Sequence, residues 1–294
     1  MVAHSLGKGE VAGSNPAVST IITIIMTNPS YIRIASDLHL EAFSGKPAGE
    51  LINAFLPAND KDKDSILCLA GDISSHPPQL EQFFTELCHR FAHVVYVPGN
   101  HEYYKKNYQE HNAWLANLAN RLHIYNLHVA SSDVNEVRLE NVRLIFGALW
   151  ADGGATLSEE GHVAFYLNDF RLIKYEKRMF TVPDMKLIHA CHRQRIEHFL
   201  KQPFDGGKTV VVTHHLPSYS LCHPRFGTDC NGGFASHCDR LMHEDFAPDI
   251  WVYGHTHDTQ DNVIGKTRVI CNPAGYRGEW MSSHNHFNPL FIEL

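Results

Sequence analysis

The sequence predicts an α/β fold whose functional residues gather at one end of the sheet, and three observations carry this. Short apolar runs of strand length recur at Tyr31–Ala35, Ile66–Ala70, Val94–Val97, Val210–Thr213 and Ile250–Tyr253; such continuous runs mark strands buried on both faces. Between them lie stretches with apolar residues at three-and-four spacing, such as Leu80, Phe83, Phe84, Leu87 and Phe91, the period of a helix with one buried face. Each run is followed within one or two residues by polar residues: Asp37-Leu38-His39, Gly71-Asp72, Gly99-Asn100-His101-Glu102, His214-His215 and Gly254-His255-Thr256-His257.

Tyr31–Ala35 is the first strand, and Asp37 and His39, two apart, point to one side of an extended or turning backbone. Residues 41–63, with Gly45, Pro47, Gly49 and the charged run Asp60-Lys61-Asp62-Lys63, read as a loop with one short helix near Leu51–Phe55. Ser65–Ala70 is the second strand, and Gly71 lets the chain turn sharply so that Asp72 is presented. Pro77 and Pro78 open the next helix, whose apolar stripe is core. Beyond the third strand, Tyr103, Tyr104, Lys105 and Lys106 form an exposed charged loop or line the pocket. The helix that follows, to about Leu122, carries Tyr108, His111, Leu115, Leu118 and Leu122 on one face, with His111 as a packed histidine.

The middle of the chain gives a strand at Val142–Phe146, then Trp150 as pocket wall or packing, a loop to Arg178, and a helix from Asp184 to Leu200 after Pro183. Thr209–Thr213 is the next buried strand. The irregular stretch Pro217–Cys238 suits a lid or specificity element. Within it Arg225 is a candidate phosphate clamp, since guanidinium binds phosphate oxygens in pairs, with an ordinary surface Arg as the competing reading. Cys222, His223, Cys230, His237 and Cys238 have zinc-binding chemistry, but their spacing matches no finger. Thr267–Cys271 is a further strand, residues 272–276 turn back towards the mouth, and Phe287–Leu294 ends the chain as an edge strand.

Loops at the carboxyl ends of strands in an open α/β sheet converge on one crevice, so the strand ends describe one site. Asp37, His39, Asp72, Asn100, His214, His255 and His257 combine imidazole, carboxylate and amide oxygen without thiolate. That set suits Mn, Fe, Zn or similar divalent ions better than Ca or a closed structural Zn site. It is too large for one catalytic ion. Two ions ~3.5–4 Å apart, bridged by a shared carboxylate, use it and leave positions for water and substrate.

With the blocks D-x-H, G-D, G-N-H-[DE], H and G-H-x-H in that order from about Ile32 to the C-terminus, the chain resembles the calcineurin-like metallophosphoesterase superfamily. Leu149-Trp150 and Asn168-Asp169-Phe170 are similar to stretches of a cytosolic bacterial-type subgroup. The resemblance implies a four-layer α/β/β/α sandwich with two facing mixed sheets. It implies Asp37, His39 and His257 on a first ion, Asn100, His214 (with His215 as fallback) and His255 on a second, and Asp72 as the bridge. His101 becomes the proton donor or transition-state stabiliser, because a histidine of pKa ~6.5 can protonate a leaving alkoxide; orienting the substrate phosphate is its rival role. Asn100 and Arg225 would meet the substrate. The expected reaction is hydrolysis of a small phosphomonoester or phosphodiester by water activated on the two cations. Ile73-Ser74-Ser75-His76-Pro77 lacks the Asp-Arg-Gly continuation of the Ser/Thr protein phosphatase branch, which points away from phosphoprotein specialisation. A non-catalytic scaffold of the same fold is one alternative, but every ligand position is filled. A nuclease is the other.

Composition narrows these classes. A hydrophobic content of 44% is ordinary for a folded globular chain, and the net charge of −7 supplies no basic field for extended nucleic-acid binding. Of the 22 histidines, the ligand set uses His39, His214, His255 and His257. The seven cysteines contain no C-x-x-C pair, as expected of free thiols in a reducing cytoplasm. Residues 1–20 show no period, and Ile21–Met26 is too short for a signal-peptide core or a membrane span. Met26 precedes Thr27-Asn28-Pro29-Ser30 and the first strand, so the native start is expected there. Residues 1–25 are then an extraneous or disordered extension, and 26–294 form one domain.

Overall fold

Two β-sheets face one another in the computed structural model, which describes residues 28–43, 45–279 and 285–294. The first sheet has the order Leu290–Glu293, Tyr31–Ala35, Ser65–Ala70, His93–Val97, Leu127–Val129. The second has the order Gln260–Ile264, Thr267–Cys271, Ile250–Tyr253, Lys208–Val212, Val142–Phe146, Asn135–Arg138. Inner strands run parallel, and Leu290–Glu293, Gln260–Ile264 and Asn135–Arg138 add antiparallel margins. Both sheets are therefore mixed.

Period-two alternation shows how the second sheet is covered. Leu144, Val210, Val212, Ile250, Val252 and Ile270 share one core with first-sheet residues such as Ile34 and Val95. Their neighbours Ile145, Val211, Trp251, Tyr253 and Val269 form another core with Ile196 and Leu200 of the helix Val182–Leu200. Against the first sheet, the helix Pro77–Cys88 buries Leu80, Phe83, Phe84 and Leu87, with the Phe84 ring 4.8 Å from Tyr96. Each such side chain contributes ~1.5–3 kcal/mol on burial. The layers run helix, sheet, sheet, helix, as the four-layer expectation requires.

The structure differs from the sequence reading in several elements, and it adds the strands Leu127–Val129, Asn135–Arg138 and Gln260–Ile264. The stretch expected to be a loop up to Arg178 holds the helix Leu157–Tyr166, a short helix Asp169–Leu172 and the strand pair Lys174–Tyr175 with Arg178–Met179. The first of these starts on a Thr156–Glu159 capping box, yet Leu157, Phe165 and Tyr166 are exposed, so no apolar stripe marks it. The helix expected to reach Leu122 breaks at Asn117 into Tyr108–Ala116 and Leu118–Leu122. The last strand is shortened to Leu290–Glu293. The expected extension over residues 1–25 and the start at Met26 lie outside the described residues. All seven cysteines are free, and no helix among the described residues is long and apolar enough to cross a membrane.

Buried histidines remote from the strand ends give stability a pH dependence. His192, 1% exposed, donates from Nε2 to the Ser132 carbonyl (3.2 Å), and burial pushes it down to about 4. Burial likewise pushes His128 to about 4 and His111 to about 3. The unfolded chain takes up these protons near pH 6.5 and the folded chain refuses them until lower pH, so stability falls as pH drops from ~6.5 towards 4. For His192 the loss is on the order of 2 kcal/mol by pH 5. Denaturant unfolding at pH 7 and pH 5 should show it, and His192→Gln should flatten the pH dependence; an equally steep decline in the variant would contradict this assignment.

Candidate metal centre

The strand ends meet because the two sheets are stitched together there. Ser36 pairs with Pro273 in a parallel bridge, with Ser36 N donating to Asn272 O (3.1 Å) and Ala274 N to Ser36 O (3.0 Å). Next to it Asp37 N donates to Gly71 O (2.9 Å), His39 N to Asp72 O (3.0 Å) and Gly254 N to His214 O (3.0 Å). The loops hold one another, which is the rigidity that a ligand set needs.

Close approach requires glycine at several of these strand ends, Gly71 and Gly99 among them. A Cβ on Gly71, whose φ is +87°, would stand 2.2 Å from His214 Nδ1, and one on Gly99 would stand 2.1 Å from Asp72 Oδ1. Asp37, His39, Asp72, His255 and His257 all have φ between +45° and +71°. Residues with a Cβ seldom enter this region, and strain concentrated in this way is characteristic of functional loops.

The imidazoles of His214, His257 and His39 are each turned by a partner on the outer nitrogen. His214 Nδ1 donates to the Ala70 carbonyl (2.8 Å), leaving Nε2 facing Asn100 Oδ1 (3.3 Å) and Asp72 Oδ1 (3.6 Å). His257 Nδ1 donates to Glu279 Oε2 (2.6 Å), leaving Nε2 3.1 Å from His39 Nε2 and 3.5 Å from Asp37 Oδ1. His39 Nδ1 lies 3.4 Å from Glu41 Oε1. Outer partners of this kind fix the tautomer and turn the Nε2 lone pair inward. His255 N donates to both Asp37 oxygens (3.0 and 3.1 Å), and its buried Nε2 has no hydrogen-bond partner among the described residues.

These inward atoms fit a divalent cation. Burial by itself would raise the Asp37 carboxyl, but His257, His214 and His39 outweigh it and hold it well below the usual range. His101, His214 and His39 do the same for Asp72. Anionic oxygens and imidazole lone pairs thus converge, and a cation satisfies them together. Ligand atoms of Asp37, His39 and His257, of His39, Glu41 and His101, and of Asp72, His214 and His255 lie within 4.8 Å of one another in each group. The 3.1 Å between His39 Nε2 and His257 Nε2 is close to the spacing of two nitrogens each ~2.0–2.1 Å from one ion.

His101 stands beside these groups. Its backbone N donates to Asp72 Oδ1 (2.9 Å), its Nε2 lies 3.0 Å from the Tyr276 hydroxyl, and its Nδ1 lies 3.5 Å from Glu41 Oε1. Burial disfavours the imidazolium, but Asp72 and Glu41 outweigh it and hold His101 up at about 9. Beside these carboxylates the ring holds its proton more tightly than a free imidazole does. A cavity of about 530 Å³ opens over it, with Asp72, Asn100, His101 and His255 on its floor and Tyr104, Leu167, Leu216, Cys222 and Phe234 on its walls. No Lys or Arg occurs among its described lining residues.

The structure brings together all seven expected ligands and His101. It places Arg225 elsewhere: Nη2 lies 2.7 Å from Asp258 Oδ1, and the side chain does not line the cavity. This guanidinium answers a carboxylate of its own chain. Trp150 is packing: it is fully buried, its ring 5.0 Å from Phe180 and 5.2 Å from His215. That stacking engages His215, whereas His214 Nε2 faces Asn100 and Asp72. The cysteine and histidine side chains of 222–238 form no ligand group among the described residues.

Several supporting residues are not identified by sequence. Glu41 and Glu279 orient imidazoles, Tyr276 closes on His101, and Asp169 holds Asn100 (2.8 Å). Glu102 accepts backbone N–H bonds from Gly99 (2.7 Å), Asp72 (3.1 Å), Ile73 (2.7 Å) and Ser74 (3.2 Å), stapling two of the loops. Glu41, two residues after His39, Glu102, inside the Gly99 block, and Asp169, inside the Asn168-Asp169-Phe170 stretch, carried a local signal without a role.

Residues 31–259 match the family model described as calcineurin-like phosphoesterase. The chain is 35% identical over 267 residues to the [acyl-carrier-protein] phosphodiesterase PptH of Mycobacterium tuberculosis, covering 83% of this chain and 78% of that protein. It is 26% identical over 282 residues to the uncharacterized protein L509 of Acanthamoeba polyphaga mimivirus, covering 90% of this chain and 96% of that one. The crystal structure of the phosphopantetheinyl hydrolase PptH superimposes with a TM-score of 0.67 over 92% of this chain and 97% of that chain, with 18% of paired residues identical.

Proposed function

Because the chain belongs to the calcineurin-like phosphoesterase family, and with it to the phosphoric ester hydrolases, we propose that it is a phosphodiesterase working with two divalent cations. Asp37, His39 and His257 would hold one cation and Asn100, His214 and His255 the other. Asp72 lies between, its Oδ1 3.6 Å from His214 Nε2 and its Oδ2 4.0 Å from His39 Nε2. When bound, the cations lower the pKa of water and neutralise phosphoryl oxygens. The chain itself supplies orientation and the proton. His101 delivers a proton from Nε2 to the leaving alkoxide, Glu41 steadies the resulting ring through Nδ1, and the Tyr276 hydroxyl lies against the same Nε2.

The observation that favours a diester is the cavity wall. A monoester dianion brings a second charge that calls for a Lys or Arg, and the described lining residues supply neither. A diester brings one charge and two organic arms, which suits Tyr104, Leu167, Leu216 and Phe234. The name of the Mycobacterium tuberculosis relative supports a phosphopantetheinyl arm on a carrier protein as the substrate class. A nuclease would need cations along a nucleic-acid track, and these walls offer none.

Turnover of bis-p-nitrophenyl phosphate, p-nitrophenyl phosphate and a carrier protein bearing phosphopantetheine tests the proposal with Mn-loaded protein. The expected kcat/KM for the diester exceeds that for the monoester by ~10-fold or more, corresponding to ~1.4 kcal/mol, and the carrier protein loses its phosphopantetheinyl group. A preference for the monoester would overturn the diester assignment.

A further inference from the structure

We infer that Asp169 is the positioning residue that commits the Asn100 side chain to the metal centre with its oxygen inward; the inference rests on the two-cation reading above. An amide can present oxygen or nitrogen to a ligand site, and only the oxygen has a lone pair to give. The surroundings of Asn100 decide which. Asn100 Nδ2 donates to Asp169 Oδ1 (2.8 Å) and to the Tyr104 hydroxyl (3.0 Å), while the Tyr104 hydroxyl donates its own hydrogen to Asp169 Oδ1 (2.9 Å). Both amide hydrogens are consumed on that side. The flipped amide would set Oδ1 against an acceptor-only carboxylate, so Oδ1 must face His214 Nε2 and Asp72.

The arrangement is costly for a group with only a structural task. Asp169 is fully buried, and its Oδ2 has no hydrogen-bond partner among the described residues. An apolar side chain of similar size would spare that desolvation. A buried carboxylate retained on these terms is explained by what it does to Asn100, as outer partners do for metal ligands generally. The short helix Asp169–Leu172 carries it, and Lys105 N donates to Leu172 O (2.7 Å), fixing this helix to the loop that follows Asn100. This gives a role to the Asn168-Asp169-Phe170 stretch that sequence alone leaves without one.

Calorimetric titration of Mn into the metal-stripped protein tests this, with thermal melting of the same samples and kcat measured on bis-p-nitrophenyl phosphate. Wild type should take up two Mn. Asp169→Leu should weaken one of the two sites ~10–100-fold and lower kcat in step, while the stripped variant melts no lower than stripped wild type. Asp169→Asn keeps an acceptor oxygen and should recover most of the affinity. Wild-type Mn affinity in Asp169→Leu would overturn the inference, and so would a lowered melting point with both sites unaltered. If wild type itself binds no Mn and turns over no diester, the two-cation reading fails, an outcome distinct from equal binding by wild type and variant.

Discussion

Asp72→Asn should abolish nearly all turnover of bis-p-nitrophenyl phosphate while leaving the chain folded. The two oxygens of Asp72 face different candidate ligand groups, Oδ1 towards His214 and Oδ2 towards His39. The amide supplies one neutral oxygen in place of two anionic ones and aims an NH₂ at a lone pair or a cation. Charge stabilisation in two-metal sites amounts to several kcal/mol, and each ~1.4 kcal/mol is a factor of ten, so a loss on the order of 10³-fold in kcat is expected. Mn content should fall with it. Steady-state kinetics and metal analysis of the purified variant check both; near-native turnover with two Mn bound would remove Asp72 from its bridging position.

His101→Asn should lower kcat by ~10²–10⁴-fold on a diester with an alkoxide leaving group, the range for loss of a general acid, without changing Mn stoichiometry. The dependence on leaving group separates the two roles open to this residue. A p-nitrophenolate leaves without a proton, so a proton donor matters little there, and the defect should shrink on bis-p-nitrophenyl phosphate. An equal defect on both substrates would assign His101 to orienting the phosphate instead. The position of the ring, between Glu41 at Nδ1 and the Tyr276 hydroxyl at Nε2, is that of a proton donor.

What was legible in the sequence follows from distance along the chain. The inner strands, parallel and covered on both faces, read as continuous apolar runs, and the candidate ligands follow within four residues, so Asp37, His39, Asp72, Asn100, His214, His255 and His257 could be read locally. The residues that orient them could not. His257 meets Glu279 across 22 positions and Asn100 meets Asp169 across 69, and no period or motif announces such pairs. Arg225 was read from guanidinium chemistry alone, and the Asp258 carboxylate that folding sets 2.7 Å from its Nη2 was not legible beside it. The helix Leu157–Tyr166 stayed hidden because its large apolar side chains face solvent. The left-handed backbone of five candidate ligand residues is likewise imposed by the loops that hold them, with Gly71, Gly99 and Gly254 betraying in sequence how closely those loops approach.

The most direct measurement is titration of the metal-stripped protein with Mn while bis-p-nitrophenyl phosphate hydrolysis is followed. Turnover should be absent in chelator, rise with added Mn and level off at two equivalents per chain. Full turnover in chelator with no metal detectable by mass spectrometry, or saturation at a single equivalent, would contradict a paired-cation phosphodiesterase.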